Sequence, residues 1–370
     1  MHVVMISKAC IVGTYQKKLE ALAQEHDIRL TVLVPPSWRD DRGEQKLERA
    51  FTQGYTLQEI KLALNGRFHF HFYPRLHAHL DALQPDLLHI DEEPYNLATL
   101  LAMRWAVRRQ IPALFFTWQN IHRHYPPPFR WWERYNYRHA RHAIAGNHDA
   151  AQILQAKGYD GPVSIIPQFG VDPELFAARP QPRAPRPFTI GYAGGIIAAK
   201  GLDTLIRACA QLPQPWELHL VGSGNAEPSL RALADSLHVS QHIHWLGKHP
   251  STAMPNFYNS IDALVLPSRT QNNWMEQFGR VLVEAMACQV PVIGSDSGEI
   301  PHVIGDAGLI FAEGNADALA QQLQLLQADE SLRRQWGQRG QQRALTTFTQ
   351  TQIARATAQV YRTMLDASGR

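Results

Sequence analysis

Two glutamates with seven residues between them form the stretch of the sequence with the clearest chemistry. Between Glu276 and Glu284 lie an aromatic residue, a glycine and an apolar run at helical spacing. The apolar stripe consists of Val281, Leu282, Ala285, Met286 and Cys288. This pattern predicts a buried helix that begins between the two acids, with Glu284 roughly 110° from the centre of the stripe. Eight helical residues would separate the acids by about 12 Å.

A helix amino terminus between two carboxylates suits a ligand that carries both an anion and hydroxyl groups. Free backbone N–H groups and the helix dipole favour an anion such as a diphosphate, and Gly279 has no Cβ to obstruct it. Carboxylates suit diols because they accept two hydrogen bonds at once. We therefore predict that Glu276 holds sugar hydroxyls, that Glu284 holds a ribose diol, and that the amides of residues 279–281 hold the diphosphate. Two solvated glutamates on an exposed helix face are the alternative.

The elements that must position these residues follow an α/β pattern in both halves of the chain. Short apolar runs alternate with helical stretches, which predicts two doubly wound, Rossmann-like domains with parallel sheets and a cleft between them. The predicted strands are 2–7, 29–35, 87–91, 112–118, 142–147, 188–194, 216–222, 242–247, 262–268, 290–295 and 308–312. Helices are predicted at 16–24, 97–109, 200–212 and 226–237.

Prolines mark the expected boundary between the domains. We predict an N-terminal domain at 1–170, a linker at 171–187 that is stiffened by proline, and a C-terminal domain at 188–345. The last segment, 346–370, is amphipathic and has no strand after it, so we expect it to form a helix that packs back on the N-terminal domain.

Composition narrows the class of protein. The chain has 370 residues with a net charge of +3, which is too small to indicate nucleic-acid binding. It contains no apolar run of about 18 residues and no features of a signal peptide at its start. Three cysteines lie far apart and form neither a disulfide framework nor a metal-ligand cluster, so we expect a cytoplasmic protein.

Several motifs in register resemble one enzyme family. The segment 276–311, EQFGRVLVEAMACQVPVIGSDSGEIPHVIGDAGLIF, is similar to the donor-site signature of retaining family 4 glycosyltransferases, which have the GT-B fold. The stretches IPQFGVDPELF, IGYAGGIIAAKGLDTLI, LHLVGSGN, WLGKHP and IDALVLPS occur in family order. The N-terminal half matches more loosely. The resemblance implies transfer of a hexose from a nucleotide diphosphate sugar, most commonly a UDP-sugar, to an acceptor hydroxyl.

The resemblance also implies roles for individual residues on the donor side. Glu276 and Lys200 would be catalytic, with Lys200 contacting the diphosphate. The implied donor-binding residues are Gly13, Gly194, Gly195, Lys200, Gly222, Gly224, Lys248, Phe278, Gly279, Arg280, Val281 and Glu284. Gly195 stands where many members have an arginine, and Arg269 or Arg280 could replace that contact. Gly13 has the alternative role of a simple turn between strand and helix.

The acceptor side departs from the family pattern. Gln119 and Asn120 stand where many relatives have a His-Asp pair, and glutamine can orient hydroxyls but cannot act as a base. Asp91, Glu92 and Glu93 follow another strand and should face the cleft, where Glu92 or Glu93 would contact the acceptor, with capping of the next helix as the alternative. His122 or His124 could instead move in towards the reacting centre, but ordinary surface positions are the favoured interpretation for both.

The resemblance implies a reaction without a metal or other cofactor. Retaining members are thought to let the leaving diphosphate take the acceptor proton, so stabilisation of that group is the main catalytic contribution. No aspartate-x-aspartate motif is evident. The expected acceptor is a sugar, a glycolipid or another hydroxyl compound, in polysaccharide or glycolipid synthesis. A sugar-phosphate-using phosphorylase or synthase, and a non-catalytic subunit that binds sugar nucleotides, are the alternatives.

The segment 122–143 is basic and aromatic. Five arginines alternate with tyrosines, tryptophans and a phenylalanine against one acid, Glu133. Such a stretch suits a membrane interface, which would place the protein peripherally at the inner face of the membrane and bring it to a lipid-linked acceptor. The alternative is a helix that packs Trp131 and Tyr135 inward and leaves its arginines in water. We expect no nucleic-acid partner.

Overall fold

The structure, a computed structural model, describes residues 1–40, 43–178 and 186–366. The chain forms two compact units. Unit 1 comprises Met1–Gly170 with Gln350–Arg370, and unit 2 comprises Val171–Thr349. Part of the predicted linker, 179–185, lies outside the described residues. Val171 and Phe176, which the sequence assigned to the linker, are buried in the core of unit 2.

Unit 1 contains a seven-stranded sheet in which every neighbouring pair is parallel. Its strands, in the order in which they lie in the sheet, are β5 (Thr56–Glu59), β2 (Arg29–Val34), β1 (His2–Ile6), β6 (Leu87–Ile90), β7 (Ala113–Thr117), β8 (His142–Ala145) and β9 (Val163–Ile165). An antiparallel hairpin of β3 (Ser37–Asp40) and β4 (Gly43–Lys46) stands apart from it. The five strands predicted in this half are confirmed.

Helices cover the sheet of unit 1 because its central strands are apolar on both faces. They are α1 (Lys17–Ala23), α2 (Leu76–Leu83), α3 (Leu97–Arg109), α4 (Phe129–His139), α5 (His148–Ala156) and, from the end of the chain, α13 (Gln350–Asp366). Helix α13 packs on α1, and its Arg362 binds both Asp27 and Glu25. The end of the chain therefore completes the core of unit 1.

Unit 2 contains a six-stranded parallel sheet, and all six predicted strands are confirmed. In sheet order they are β12 (Ile243–Gly247), β11 (Trp216–Val221), β10 (Phe188–Ala193), β13 (Ala263–Leu266), β14 (Val292–Ser295) and β15 (Leu309–Phe311). Its helices are α6 (Leu202–Cys209), α7 (Glu227–Ser236), α8 (Met254–Tyr258), α9 (Arg280–Ala287), α10 (Ile300–Ile304), α11 (Ala316–Ala328) and α12 (Glu330–Thr347).

Each sheet has a switch point where the strand order reverses. In unit 1 it lies between β1 and β6, and in unit 2 between β10 and β13. Connections leave such neighbouring strands in opposite directions, so a crevice forms at their carboxyl ends, where α/β proteins bind ligands. The residues directly after these four strands are therefore the candidates for ligand binding. Among the described residues, no helix combines the length and the apolar content needed to cross a bilayer.

Candidate functional site

Lys200, Ser268 and Glu276 meet at the switch point of unit 2. Lys200 ends the 3-10 turn after β10, and Ser268 follows β13. The Lys200 Nζ donates to Glu276 Oε2 over 2.5 Å, and the Ser268 hydroxyl donates to the same oxygen over 2.9 Å. The ring of Trp274 lies 4.9 Å from Lys200 Nζ. The sequence predicted a functional Lys200 and Glu276, and the structure brings them into direct contact.

Backbone contacts with the loop after β14 fix the position of Glu276. Its carbonyl accepts the N–H of Glu299 over 3.1 Å. A Cβ at Gly298 would approach that carbonyl oxygen to 2.3 Å. The loop before α9 is therefore packed tightly against the loop after β14, and the carboxylate of Glu276 is presented from a fixed position.

Helix α9 begins at Arg280, between the two glutamates, as predicted. Gly279 is its N-cap and adopts a left-handed conformation with φ of 72°, which is costly for other residues. Only the residues from Arg280 onward are helical, so the estimate of about 12 Å from eight helical residues does not apply. Val281 is half-buried, and the rest of the predicted stripe is buried.

Glu284 is more deeply buried than its predicted position at the flank of the stripe. The Tyr258 hydroxyl donates to its Oε2 over 2.7 Å, and Arg280 Nε donates to its Oε1 over 2.7 Å. Burial raises the pKa of Glu284, and Arg280 partly opposes that shift. Both carboxylate oxygens thus already have donors within unit 2, with lone pairs left for a further hydrogen bond.

Glycines bring three strand-end loops of unit 2 together. A Cβ at Gly222 would approach the carbonyl oxygen of Gly194 to 1.8 Å, and a Cβ at Gly224 would approach that of Ile196 to 2.1 Å. The Gly222 N–H donates to the Gly247 carbonyl over 2.8 Å. Close backbone packing therefore explains these two glycines within unit 2. A Cβ at Gly195 would meet nothing within 4 Å.

The two candidates to replace an arginine at position 195 are engaged elsewhere in unit 2. Arg269 Nη2 binds Asp203 over 2.8 Å and Thr204 over 2.5 Å, while Arg280 binds Glu284. Lys248 is exposed directly after β12. Phe278 packs edge-on against Phe348, with ring centroids 5.7 Å apart.

Unit 1 contains a cavity of about 630 Å³ at the carboxyl ends of its central strands. Its lining includes Lys8, Tyr15, Trp38, Asp91, Glu93, Trp118 and Gln168. Aromatic rings thus stand beside carboxylate, ammonium and amide groups, a combination that suits a polar ring compound such as a sugar.

Three consecutive acids after β6 have distinct partners. Asp91 accepts hydrogen bonds from Ser7 over 2.5 Å and from Gln168 over 2.9 Å. Glu93 accepts from the Thr117 hydroxyl over 2.6 Å and from the Trp118 N–H over 2.8 Å. Burial raises the pKa of Glu93, and these hydrogen bonds partly offset it. None of these acids caps α3, whose N-cap is Asn96.

Glu92 is the most enclosed of the three acids. It forms an ion pair with Lys8, accepts the Tyr73 hydroxyl over 3.2 Å, and lies 3.5 Å from His71 Nε2. Burial alone would raise its pKa, but Lys8 and His71 outweigh burial and lower it to about 2. Glu92 therefore stays ionised inside the unit.

The other predicted residues of unit 1 are occupied by local contacts. Gln119 Oε1 accepts from Lys157 over 3.2 Å, and Lys157 also forms an ion pair with Glu133. Asn120 is buried beside it in the chain. The Gly13 N–H, which opens the 3-10 turn before α1, donates to the Glu48 carboxylate over 2.7 Å. Gln119 and Asn120 are absent from the described lining of the cavity.

Sequence analysis missed several residues at these sites. Lys8 follows β1, and Ser268 follows β13, after one intervening residue in each case, so a search of the residues at strand ends could have found them. Trp38 and Tyr258 carry no local signal, because their roles depend on partners far away in the sequence.

Two family models cover most of the chain. The model described as Glycosyltransferase Family 4 matches residues 13–175, and the model described as Glycosyl transferases group 1 matches residues 176–343. The chain belongs to the family 4, group 1 glycosyltransferases. This agrees with the resemblance in the sequence motifs.

Curated relatives match this chain over only part of their own length. The capsular polysaccharide biosynthesis glycosyltransferase CapM of Staphylococcus aureus is 33% identical over 49% of this chain and 47% of its own length. A GDP-mannose-dependent phosphatidylinositol monomannoside mannosyltransferase of Corynebacterium glutamicum is 37% identical over 38% of this chain and 37% of its own length. The chain thus spans less than half the length of these relatives.

Solved structures share the fold along almost the whole chain. A glycosyltransferase from Rickettsia africae matches with a TM-score of 0.74 and 16% identity over 98% of both chains. HepE of Anabaena, solved in complex with UDP, matches with a TM-score of 0.71 and 18% identity over 98% of this chain and 100% of its own. The fold is GT-B, with a parallel sheet in each of two domains.

Proposed function

We propose that the protein is a retaining hexosyltransferase that transfers a hexose from a UDP-sugar to an acceptor hydroxyl in polysaccharide or glycolipid synthesis. The observation that carries this proposal is the contact between Lys200 and Glu276 at the switch point of unit 2. Helix α9 begins four residues after Glu276. The Lys200 ammonium, the Glu276 carboxylate and the first backbone amides of α9 therefore lie in one region of unit 2.

The donor chemistry follows from exchanging partners within this cluster. Lys200 and Glu276 neutralise each other in the structure. A bound nucleotide sugar would offer its diphosphate to Lys200 and the α9 amides, and its sugar hydroxyls to Glu276. When the bond from the sugar to the diphosphate breaks, negative charge grows on the leaving group, and Lys200 would stabilise that charge. Glu284, held by Tyr258 and Arg280, would accept from the ribose.

The cavity of unit 1 is our candidate for the acceptor. The rings of Tyr15, Trp38 and Trp118 offer apolar faces to a sugar, while Asp91 and Gln168 offer polar groups to its hydroxyls. Gln119 belongs instead to the contacts around Lys157. We therefore assign acceptor binding to the cavity residues and the positioning of neighbouring loops to Gln119.

The names of the related proteins, and the ligands present in their solved structures, support the substrate class. CapM is a capsular polysaccharide glycosyltransferase, and HepE was solved with UDP, with UDP and glucose, and with UDP-glucose. The relative from Corynebacterium glutamicum is GDP-mannose-dependent, so the base must be tested directly.

Thermal unfolding with nucleotide sugars tests the donor proposal. The melting temperature is measured with UDP-, GDP- and ADP-sugars, each with and without magnesium, since a ligand that binds only the folded protein raises it. We expect an increase with UDP-sugars that does not depend on magnesium and is lost in Lys200→Ala. Arg207→Ala, an exposed charge removal on α6, serves as the control and should keep the increase.

Other outcomes would redirect the proposal. An increase with GDP-sugars alone would replace UDP as the nucleotide. Turnover of a sugar 1-phosphate without a nucleotide would favour a phosphorylase, and binding of a nucleotide sugar without turnover on any acceptor would favour a non-catalytic subunit. An equal response in Lys200→Ala and the wild type would contradict the assigned role of Lys200.

We also propose that the protein contacts an anionic membrane surface through α4 and its neighbours. Arg130, Trp131, Arg134 and Arg138 are exposed on one face of α4, and Trp131 is 63% exposed. The helix buries Glu133, Asn136 and Tyr137 instead of Trp131. Exposed Phe70 packs edge-on against Phe129, with centroids 5.1 Å apart, and extends the aromatic surface. Arginines beside exposed aromatic rings favour an anionic lipid interface.

A further inference from the structure

The edge of the sheet in unit 2 carries a group of metal-ligating side chains away from the candidate donor site. Strand β11 alternates from Trp216 to Leu220: Trp216, Leu218 and Leu220 are buried in the core, so Glu217 and His219 project from the opposite face. Both are only half-buried. A histidine and a glutamate two residues apart on one strand face are close enough to bind the same metal ion.

The neighbouring edge strand adds a second histidine to this face. Strands β11 and β12 are parallel, and their register pairs His219 with His244. The two imidazole rings lie 4.9 Å apart and nearly perpendicular to each other. His244 is exposed, because β12 is the last strand of the sheet.

The distances between the candidate ligand atoms match those around a small metal ion. Glu217 Oε2 lies 3.1 Å from His219 Nε2 and 3.7 Å from His244 Nε2. The three ligand atoms all lie within 4.8 Å of one another. Ligands placed at roughly 2.0–2.1 Å from a tetrahedral zinc ion are separated from each other by about 3.4 Å. The two measured distances bracket that value.

We propose that Glu217, His219 and His244 bind one zinc ion, or another divalent transition metal with the same preference for imidazole and carboxylate ligands. Two imidazoles and one carboxylate leave a fourth position for solvent, which the exposed edge of the sheet can supply. A hard cation such as magnesium is not expected, because it prefers oxygen ligands.

The surroundings are compatible with metal binding. The guanidinium of Arg186, whose charge acts on His219, is engaged by Asp262 at 2.9 Å and by Thr189. Its charge is therefore largely compensated.

A metal here would fasten the edge strand to the sheet. Strand β12 ends at Gly247, whose carbonyl accepts the Gly222 N–H, and Lys248 follows it. The ion would thus stabilise the strand that leads into one of the loops assigned to donor binding. The metal proposal does not rest on the proposed function, because binding can be measured without any sugar nucleotide.

Calorimetric titration of the full chain with zinc chloride, after treatment with a chelator, tests the proposal. We expect one tight site in the wild type. His244→Ala should weaken it at least tenfold, since the loss of even an outer-shell partner typically costs 10–100-fold. Glu217→Gln keeps the side-chain shape and should also weaken the site. His249→Ala removes an exposed histidine five residues further along and is the matched control, which should keep wild-type affinity.

A second readout separates ligation from a general effect on the fold. With cobalt as the probe, the wild type should develop the visible bands of a tetrahedral ion, and His244→Ala should not. Each variant's melting temperature is compared in the absence of metal to exclude misfolding. Absence of a tight zinc site in the wild type, or equal affinities in the wild type, His244→Ala and Glu217→Gln, would overturn the proposal.

Discussion

A lysine and a glutamate meet at the switch point of each sheet, but the two pairs differ in what surrounds the carboxylate. In unit 2, Glu276 binds Lys200 and Ser268, and 12% of its side chain stays exposed. In unit 1, Glu92 binds Lys8, accepts from Tyr73, faces His71, and has no exposed side-chain surface.

The difference separates a carboxylate held for a ligand from one used to hold the fold. Glu92 lies in the wall of the unit 1 cavity but has no exposed side-chain surface, so its charge is used inside unit 1. Glu276 keeps an open side, so a ligand can replace Lys200 as its partner. The same residue pair at equivalent points of two sheets can therefore have opposite consequences when it is removed.

The largest expected effect is on stability. Glu92→Ala should lower the free energy of unfolding by about 3–5 kcal/mol, because it leaves Lys8 as a charge without its buried partner. Glu276→Ala should cost less, about 2 kcal/mol, the value for a hydrogen bond to a charged group, because water can reach Lys200 from the open side once the ion pair is lost. Urea unfolding measures both, with Glu227→Ala, from the exposed pair with Arg231, as the control. Equal losses for Glu92→Ala and Glu276→Ala would remove the distinction between the two pairs.

The next effect is on catalysis, where removal of Glu276 should matter more than removal of Glu92. Glu276→Ala should reduce sugar transfer roughly 10²-fold, because a donor sugar that is no longer held is misplaced relative to the acceptor. The measurement is release of UDP from the UDP-sugar identified by thermal shift. Glu227→Ala, which removes a carboxylate from the same unit, should keep wild-type activity. If Glu276→Ala unfolds or keeps full activity, its role as a ligand-binding carboxylate is wrong.

A smaller effect is expected on membrane binding, where the exposed surfaces of the two units differ. Arg134→Glu combined with Arg138→Glu should weaken binding to anionic liposomes roughly 30-fold, from about 1 kcal/mol for each arginine removed. Sedimentation with liposomes measures it. Arg334→Glu with Arg339→Glu on α12 makes the same charge change on unit 2 and should have little effect. A wild type that never binds anionic liposomes would contradict the membrane proposal.

Much of the fold was predictable because its central strands are short apolar runs. All eleven predicted strands are present, and α3 has the predicted bounds Leu97–Arg109. The strands that were missed are polar or short. Strand β4, GEQK, is exposed along its whole length, and β5, TLQE, lies at the sheet edge. Without a buried face, such strands have no period-2 pattern of hydrophobicity to recognise.

The candidate site was predictable only where chemistry coincides with a local signal. Lys200 and Glu276 stand in loops beside glycines and strand ends, and the structure joins them. The burial of Glu284 was not predictable, because Tyr258 lies 26 residues away and reaches it only in the folded unit. The surroundings of Glu92 likewise depend on Lys8, 84 residues earlier. Partners distant in sequence decide whether a carboxylate faces a ligand or the core.

A pH-dependent effect on stability separates the neighbours Glu92 and Glu93. The folded-state pKa of Glu92 is about 2, below its ordinary value of 4.5, so its contribution to stability is present above pH 4.5 and is lost as the pH falls towards 2. The folded-state pKa of Glu93 is raised by burial, so its influence changes above pH 4.5.

Urea unfolding at several pH values compares Glu92→Gln and Glu93→Gln with the wild type. Between pH 4.5 and 2, the stability difference between Glu92→Gln and the wild type should shrink by up to about 1.4 kcal/mol per pH unit, while the difference for Glu93→Gln stays constant. Above pH 4.5 the difference for Glu93→Gln should change with pH, while the difference for Glu92→Gln stays constant. The reason is that Glu93 is then the one of the two whose protonation differs between the folded and unfolded states. A constant difference for Glu92→Gln below pH 4.5 would mean that Lys8 and His71 do not hold Glu92 ionised, and that the two lysine–glutamate pairs are alike after all.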